Sequence, residues 1–184
     1  MTEKQFNDAM ERMSRKDKQA LREVYEAYVA FIYRVVFDMV DNREKAEDIT
    51  SDFFIRLWEK AGQYKKGNSH LGYLATIARN MAIDHMRKYG REVLQIDGEE
   101  DENGRQDNKV ISSSEPTPEE SVITDMSIED VLNILKPVYR QIVTMKVLSD
   151  MTFKEIAKVL DMPIGTVTWN YREAIKQLRR FGYE

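Results

Sequence analysis

Residues 152–178, TFKEIAKVLDMPIGTVTWNYREAIKQL, decide the fold class of this 184-residue chain. Thr152 stands three positions before Glu155, the spacing at which a hydroxyl and a carboxylate each satisfy a free backbone N–H at a helix start. The helix opened there is short: Leu160 is its last apolar position, and Asp161-Met162-Pro163 follows as a turn. A longer helix then carries Ile164, Val167, Tyr171, Ala174, Ile175 and Leu178 on one face. Short helix, tight turn and longer helix make the helix-turn-helix layout, in which the second helix can enter a DNA major groove.

Working outward, Pro137 suits the first turn of a preceding helix, with Val138, Ile142, Met145 and Leu148 spaced to face inward. Ile128, Val131, Leu132 and Leu135 suggest one more helix before it. Near the other end, Leu21, Val24, Tyr25, Tyr28, Phe31, Ile32, Val35, Val36 and Met39 recur at three and four, which predicts a helix of about six turns ending near Asn42. Ala46, Ile49, Phe53 and Leu57 predict a second helix, stopped at Gly62. Leu71, Leu74, Ile77, Ala78 and Met81 predict a third, running into Arg87. Alternating strand patterns are absent, so the expected class is all-α: two small helical domains, residues 1–90 and 128–184, the second a helix-turn-helix domain.

Residues 91–127 join them and read as a flexible acidic linker, with the run Glu99–Glu102, two glycines, three consecutive serines, Pro116 and Pro118. Fully extended, such a linker spans on the order of 120 Å. Net charge follows the same division. Residues 1–90 hold 16 Lys and Arg against 14 Asp and Glu, residues 91–127 hold 3 against 11, and residues 128–184 hold 9 against 7. Two mildly basic blocks thus flank one acidic strip, and binding follows local rather than total charge.

Composition removes several function classes. With no cysteine and two histidines, His70 and His85, the chain lacks the parts for disulfides, thiol nucleophiles, zinc sites or histidine-dependent triads. No apolar run approaches the roughly 18 residues of a membrane span. The stretch MTEKQFNDAM has neither the basic start nor the apolar core of a secretory signal, which predicts a cytoplasmic chain. Asp48 and Asp52 could share a metal by spacing, but no His or Cys joins them and no glycine-rich phosphate loop exists. No catalytic residue, metal or cofactor is expected.

Residues 135–180, LKPVYRQIVTMKVLSDMTFKEIAKVLDMPIGTVTWNYREAIKQLRR, resemble the promoter-binding C-terminal domain of sigma factors. Residues 47–61, EDITSDFFIRLWEKA, and 72–88, GYLATIARNMAIDHMRK, resemble the other sigma domain, which binds RNA polymerase and the −10 promoter element. Two matches in order, joined by a linker without a third domain, resemble the extracytoplasmic-function group of the sigma-70 family. The resemblance implies a promoter-specificity subunit with core RNA polymerase, duplex −35 DNA and the melted −10 strand as partners. An anti-sigma protein is a further expected partner, and membrane insertion is not expected.

The same resemblance assigns the residues. Asp48, Ser51, Asp52, Phe54, Ile55 and Trp58 would dock a basic coiled coil of the polymerase, acids edged by aromatic anchors. Ser51 stands where the family commonly has Gln. Tyr64, Lys65 and Lys66, in the loop 62–69, would meet a base flipped from the −10 strand, which offers a π-face for stacking. The family usually has Trp where this chain has Tyr73. Asn80, Asp84, Arg87 and Arg91 form a polar stripe for −10 bases and phosphates, to which Lys88 adds charge. At −35, Thr166, Thr168, Trp169, Asn170, Arg172 and Lys176 would face the groove, although a more basic triplet is usual where Thr168-Trp169-Asn170 stands. The acidic linker could mimic RNA phosphates in the polymerase exit channel. A stand-alone helix-turn-helix regulator would explain the C-terminal half but leave the motifs of residues 47–88 idle.

Overall fold

The computed structural model describes residues 1–66, 69–96 and 132–180, with backbone alone for 90–96. Its first element was not anticipated. Thr2 and Gln5 form a reciprocal cap, the Gln5 N–H donating to Thr2 Oγ1 at 3.3 Å and the Thr2 N–H to Gln5 Oε1 at 2.8 Å, and open α1 (Glu3–Ser14). Phe6, Ala9, Met10 and Met13 on its inner face are buried. Lys16, with φ of 68°, turns the chain, and Asp17 caps α2 (Lys18–Val40). Arg12 staples the corner, donating to Asp17 at 2.8 Å and, through both terminal nitrogens, to Glu23.

Asp41, left-handed at φ of 48°, ends α2, and the Asn42 side chain accepts the Lys45 N–H to start α3 (Arg43–Glu59). A 3₁₀ turn (Ala61–Gln63) follows, then α4 (His70–Ile96), which continues past Gly90 into the stretch read as linker. In the second block, α5 (Pro137–Val143) has Pro137 in its first turn as expected. It runs into a π-helical turn (Thr144–Leu148). The cap of α6 (Phe153–Leu160) is the expected one: Glu155 N–H donates to the Thr152 hydroxyl and the Thr152 N–H to Glu155 Oε2. Left-handed Asp161 then turns the chain into α7 (Ile164–Arg180). All these elements are helical, as the periodicity requires. The predicted helix around Ile128–Leu135 lies largely outside the described residues, as do the side chain of Arg91 and the acidic run of the linker.

Leu148 and Val138 depart from expectation, since both face solvent. For Leu148 the cause is the π turn, whose wider winding advances the register past the 3.6-residue rule. Met145 stays inside, and Met151, from the following loop, is buried beside it.

The two blocks also meet. One continuous apolar core joins Phe6, Met10, Ile32, Val36, Phe53, Leu57 and Leu74 to Ile142, Met145, Met151 and Ile156. Packing joins α2 to α5 and the π turn, and α4 to α6. Small bundles bury a modest share of their surface alone, so each leaves an apolar face that the other covers. At the seam, the Thr144 hydroxyl donates to Asp38 Oδ2 at 2.6 Å, and Arg34 Nε lies 2.8 Å from Asp38 Oδ1, with side-chain exposures of 8% and 0%. That ion pair is close but misaligned, for the Arg34 Nε–H does not point at the oxygen. Arg140 reaches Asp41 at 3.6 Å and donates to the Leu135 carbonyl. Burial pushes the Asp38 carboxyl above its ordinary range, against the pull of the Thr144 hydroxyl and the Arg34 and Arg140 guanidiniums.

Candidate nucleic-acid and protein interfaces

On α3, burial of Ala46, Ile49, Phe53 and Leu57 turns Asp48, Ser51, Asp52 and Ile55 outward. Phe54 does not join them as an exposed anchor. It is 5% exposed and packs at a tilt against Tyr25 of α2, 4.8 Å between centroids, because position 54 follows Phe53 toward the α2 contact. Tyr25, Leu21, Phe54, Ile55 and Trp58 instead line an apolar groove of about 340 Å³, rimmed by Lys18 and Arg22. Tyr25 and Leu21 belong to the apolar stripe that predicted α2; exposed Tyr25 and half-buried Leu21 lie at its edge and line this groove.

On α4, Leu74, Ala75, Ala78 and Ala82 are buried, and the small side chains bring α4 close to the bundle. Asn80, Asp84, Arg87 and Lys88 are exposed on the other side, as their spacing demands. Asn80, Asp84 and Arg87 line one open cleft of about 380 Å³ together with Arg56 of α3. Arg56 was missed in the sequence, where it reads as a solvated helix position; its signal is the i+3 step from Phe53, which sets it beside the α4 contact.

Lys65 and Lys66 are exposed, but Tyr64 is not free to stack on a base. Its ring packs edge-on against Phe6 at 5.5 Å and lies 5.0 Å from that of Tyr73, and its hydroxyl donates to Asn7 Oδ1 at 2.8 Å. Burial raises the phenols of Tyr64 and Tyr73. His70 stacks on Phe6 at 5.1 Å, and burial holds its imidazole below its ordinary 6.5. Glu155 approaches the same place from α6. Burial pushes its carboxyl up, yet hydrogen bonds from Ser69 and Thr152 and the nearby His70 outweigh this and leave it below the ordinary carboxylate range.

On α7, Trp169 is 58% exposed, and Thr166, Arg172 and Lys176 face solvent with it. The Thr168 hydroxyl is turned back onto the Ile164 carbonyl at 2.8 Å. Asn170 corrects the sequence reading: it is 7% exposed, on the buried side with Val167, Ala174 and Leu178, because positions 167, 170, 174 and 178 step by three, four and four. No helix among the described residues is long and apolar enough to cross a membrane.

A helical bundle carrying an acidic face and a polar cleft, coupled to a helix-turn-helix with an exposed second helix, defines a two-part DNA-reading protein. The Sigma-70 region 2 model matches residues 24–92 and the Sigma-70, region 4 model matches residues 125–178. The chain is 30% identical over 178 residues to the ECF RNA polymerase sigma factor BldN of Streptomyces coelicolor, covering 94% of this chain and 64% of that protein. It is 27% identical over 180 residues to the ECF RNA polymerase sigma factor SigW of Bacillus subtilis, covering 92% of this chain and 95% of that protein. Its fold is similar to that of the sigma factor RpoE, solved in complex with the anti-sigma factor NepR from Bartonella quintana, with a TM-score of 0.63, 21% identity and coverage of 86% of this chain and 94% of that one. It is also similar to CnrH, solved with the cytosolic domain of CnrY, with a TM-score of 0.61, 13% identity and coverage of 96% of both chains. The chain belongs to the extracytoplasmic-function group of the sigma-70 family, the promoter-specificity subunits of RNA polymerase.

Proposed function

We propose that this chain binds core RNA polymerase through the outward face of α3, Asp48, Ser51, Asp52 and Ile55, with Trp58 at the edge of the adjoining groove. The α4 cleft of Asn80, Asp84 and Arg87, with Lys88 beside it, meets the −10 element, and Lys65 and Lys66 track its displaced strand. The α7 face of Thr166, Trp169, Arg172 and Lys176 reads the −35 duplex. Residues 1–90, extended by the end of α4 to Ile96, and residues 128–184 act as the two working domains, and the remainder of 91–127 acts as their tether. The chain performs no chemistry, works in the cytoplasm and is held in check by an anti-sigma protein that covers the polymerase-binding surface.

The observation that carries this reading is the shared cleft of Asn80, Asp84, Arg87 and Arg56, which presents amide, carboxylate and guanidinium groups together. Such groups pair with base edges and phosphates. The mildly basic charge of each block supports weak binding to free duplex and stronger binding when polymerase holds both domains on one promoter. The test is transcription reconstituted from purified core polymerase, this chain and a promoter library. Selective initiation from a subset of promoters is expected. Failure to direct any initiation, or tight promoter binding by the chain without polymerase, overturns the reading.

A further inference from the structure

The segment between α3 and α4 is braced by a helix that precedes the residues matched by the region 2 model. Three contacts make the brace. Phe6, wholly buried, touches the rings of Tyr28, Tyr64 and His70. Asn7 Oδ1 accepts the Tyr64 hydroxyl at 2.8 Å, across 57 positions of sequence. Glu11 Oε2 pairs with Lys66 Nζ at 3.0 Å, and Lys66 together with Arg15 holds the Glu11 carboxyl below its ordinary range. The 3₁₀ turn packs on the same helix, where Ser14 Cβ lies 3.9 Å from the place a side chain on Gly62 would occupy.

These contacts differ in character. Phe6 is core, and its loss would loosen the whole block. Asn7 and Glu11 sit at the rim, so what they fix is the path of residues 64–66 rather than the fold. Tyr64, with its ring between Phe6 and Tyr73 and its hydroxyl on Asn7, is the strut that carries that path, and the two lysines beside it are set by where Tyr64 is pinned.

We propose that Asn7 and Glu11 of α1 are positioning residues for melted-strand recognition: they hold Tyr64 and Lys66 so that the lysine pair is aligned with the displaced −10 strand before it arrives. Pre-alignment lowers the ordering cost of binding, so its loss weakens strand capture and leaves other contacts alone. The inference rests on the proposed promoter function.

The experiment uses the full chain assembled with core polymerase. The probe is a single-stranded non-template oligonucleotide carrying the −10 segment of a promoter that the wild-type holoenzyme selects from a random library, with 2-aminopurine in that segment. Asn7→Leu and Tyr64→Phe are each expected to weaken capture about 2- to 10-fold, the range of one neutral hydrogen bond. The double variant should be no weaker than either single one, and Asn7→Asp, which keeps an acceptor oxygen, should restore capture. Core polymerase affinity and retention of −35 duplex should stay within about twofold of wild type. Asn7→Leu with unchanged capture overturns the inference, as does an equal loss of polymerase affinity, which marks a general structural role. If the wild-type holoenzyme captures no strand, the promoter function itself falls, and this inference with it.

Discussion

The seam between the two blocks invites a decisive perturbation. Asp38→Ala leaves the Arg34 guanidinium, whose side chain is 8% exposed, without the carboxylate 2.8 Å from it, and leaves the Thr144 hydroxyl without its acceptor. Removing one member of a buried pair costs about 3–5 kcal/mol, because the remaining charge is uncompensated. That cost is felt while the second block covers α2. Once the blocks separate, water solvates Arg34. The penalty therefore falls on the seam, and hydrogen exchange measured by mass spectrometry should locate it. Amides of residues 137–148 should exchange faster by about two to three and a half decades, at 1.4 kcal/mol per decade. Amides around Phe53 and Leu57 in α3 should keep their wild-type rates. Thr144→Val, which removes a donor to a charged acceptor, should give about one to two decades. Replacing the polar cluster by Arg34→Met, Asp38→Leu and Thr144→Val together should return exchange to the wild-type rate or slower, since a packed apolar contact matches or exceeds a buried pair. Exchange of 137–148 within about threefold of wild type in Asp38→Ala would refute the reasoning. Equal acceleration in α3 would refute it too, by showing global rather than seam opening.

Phe6→Ala should cost about 3–5 kcal/mol, as expected for a wholly buried phenylalanine, and lower Tm by roughly 6–20 °C in a calorimetric scan. Trp169→Ala should lower holoenzyme affinity for −35 duplex by about tenfold or more in a filter-binding assay, because an exposed aromatic on the recognition face is the strongest anchor available there, while −10 strand capture is unchanged. Lys176→Ala should reduce the salt slope of promoter binding by about one, read from a titration of affinity against ionic strength. His70 and Glu155 both have depressed values in the folded chain, so each contributes stability above its unfolded value that is lost as pH falls. Urea midpoints should therefore drop as pH falls below 6.5 through the His70 value, and again below 4.5 through that of Glu155, and His70→Phe should remove the first drop.

What could be read from the sequence was local. The Thr152–Glu155 box and the turn at Asp161 announce themselves within a few residues, so α6 and α7 were legible at once. The exposed stripe of α4 followed from period alone. Asn170 was misplaced because the buried arc of α7 is wider than its apolar residues mark, taking in an amide between Val167 and Ala174. Leu148 was misplaced because periodicity assumes an unbroken winding, and the π turn breaks it. The first helix had a readable cap in Thr2 and Gln5, followed by Phe6, Met10 and Met13 at helical spacing. Its role was not readable, since the partners of Phe6 and Asn7 stand on α2, at Tyr64 and at His70. The seam was beyond reach for the same reason: Asp38 and Thr144 are 106 positions apart, and neither residue type signals a partner by itself.

The connection between α3 and α4 is thus held from two sides with different permanence. From one side α1 grips Tyr64 and Lys66, and every residue of that grip belongs to the first block. From the other, Glu155 of α6 reaches Ser69 and stands beside His70, while the same carboxylate accepts the Thr152 N–H and hydroxyl at 2.7 Å each. Glu155 therefore caps its own helix whether or not the blocks touch, and it needs no rearrangement to leave Ser69 behind. Separation of the blocks costs the connection its second support and costs α6 its packing on α4, but leaves the cap of α6 intact. The grip of α1 lies wholly within the first block, so the positions of Tyr64 and Lys66 rest on Asn7 and Glu11 and do not depend on the seam.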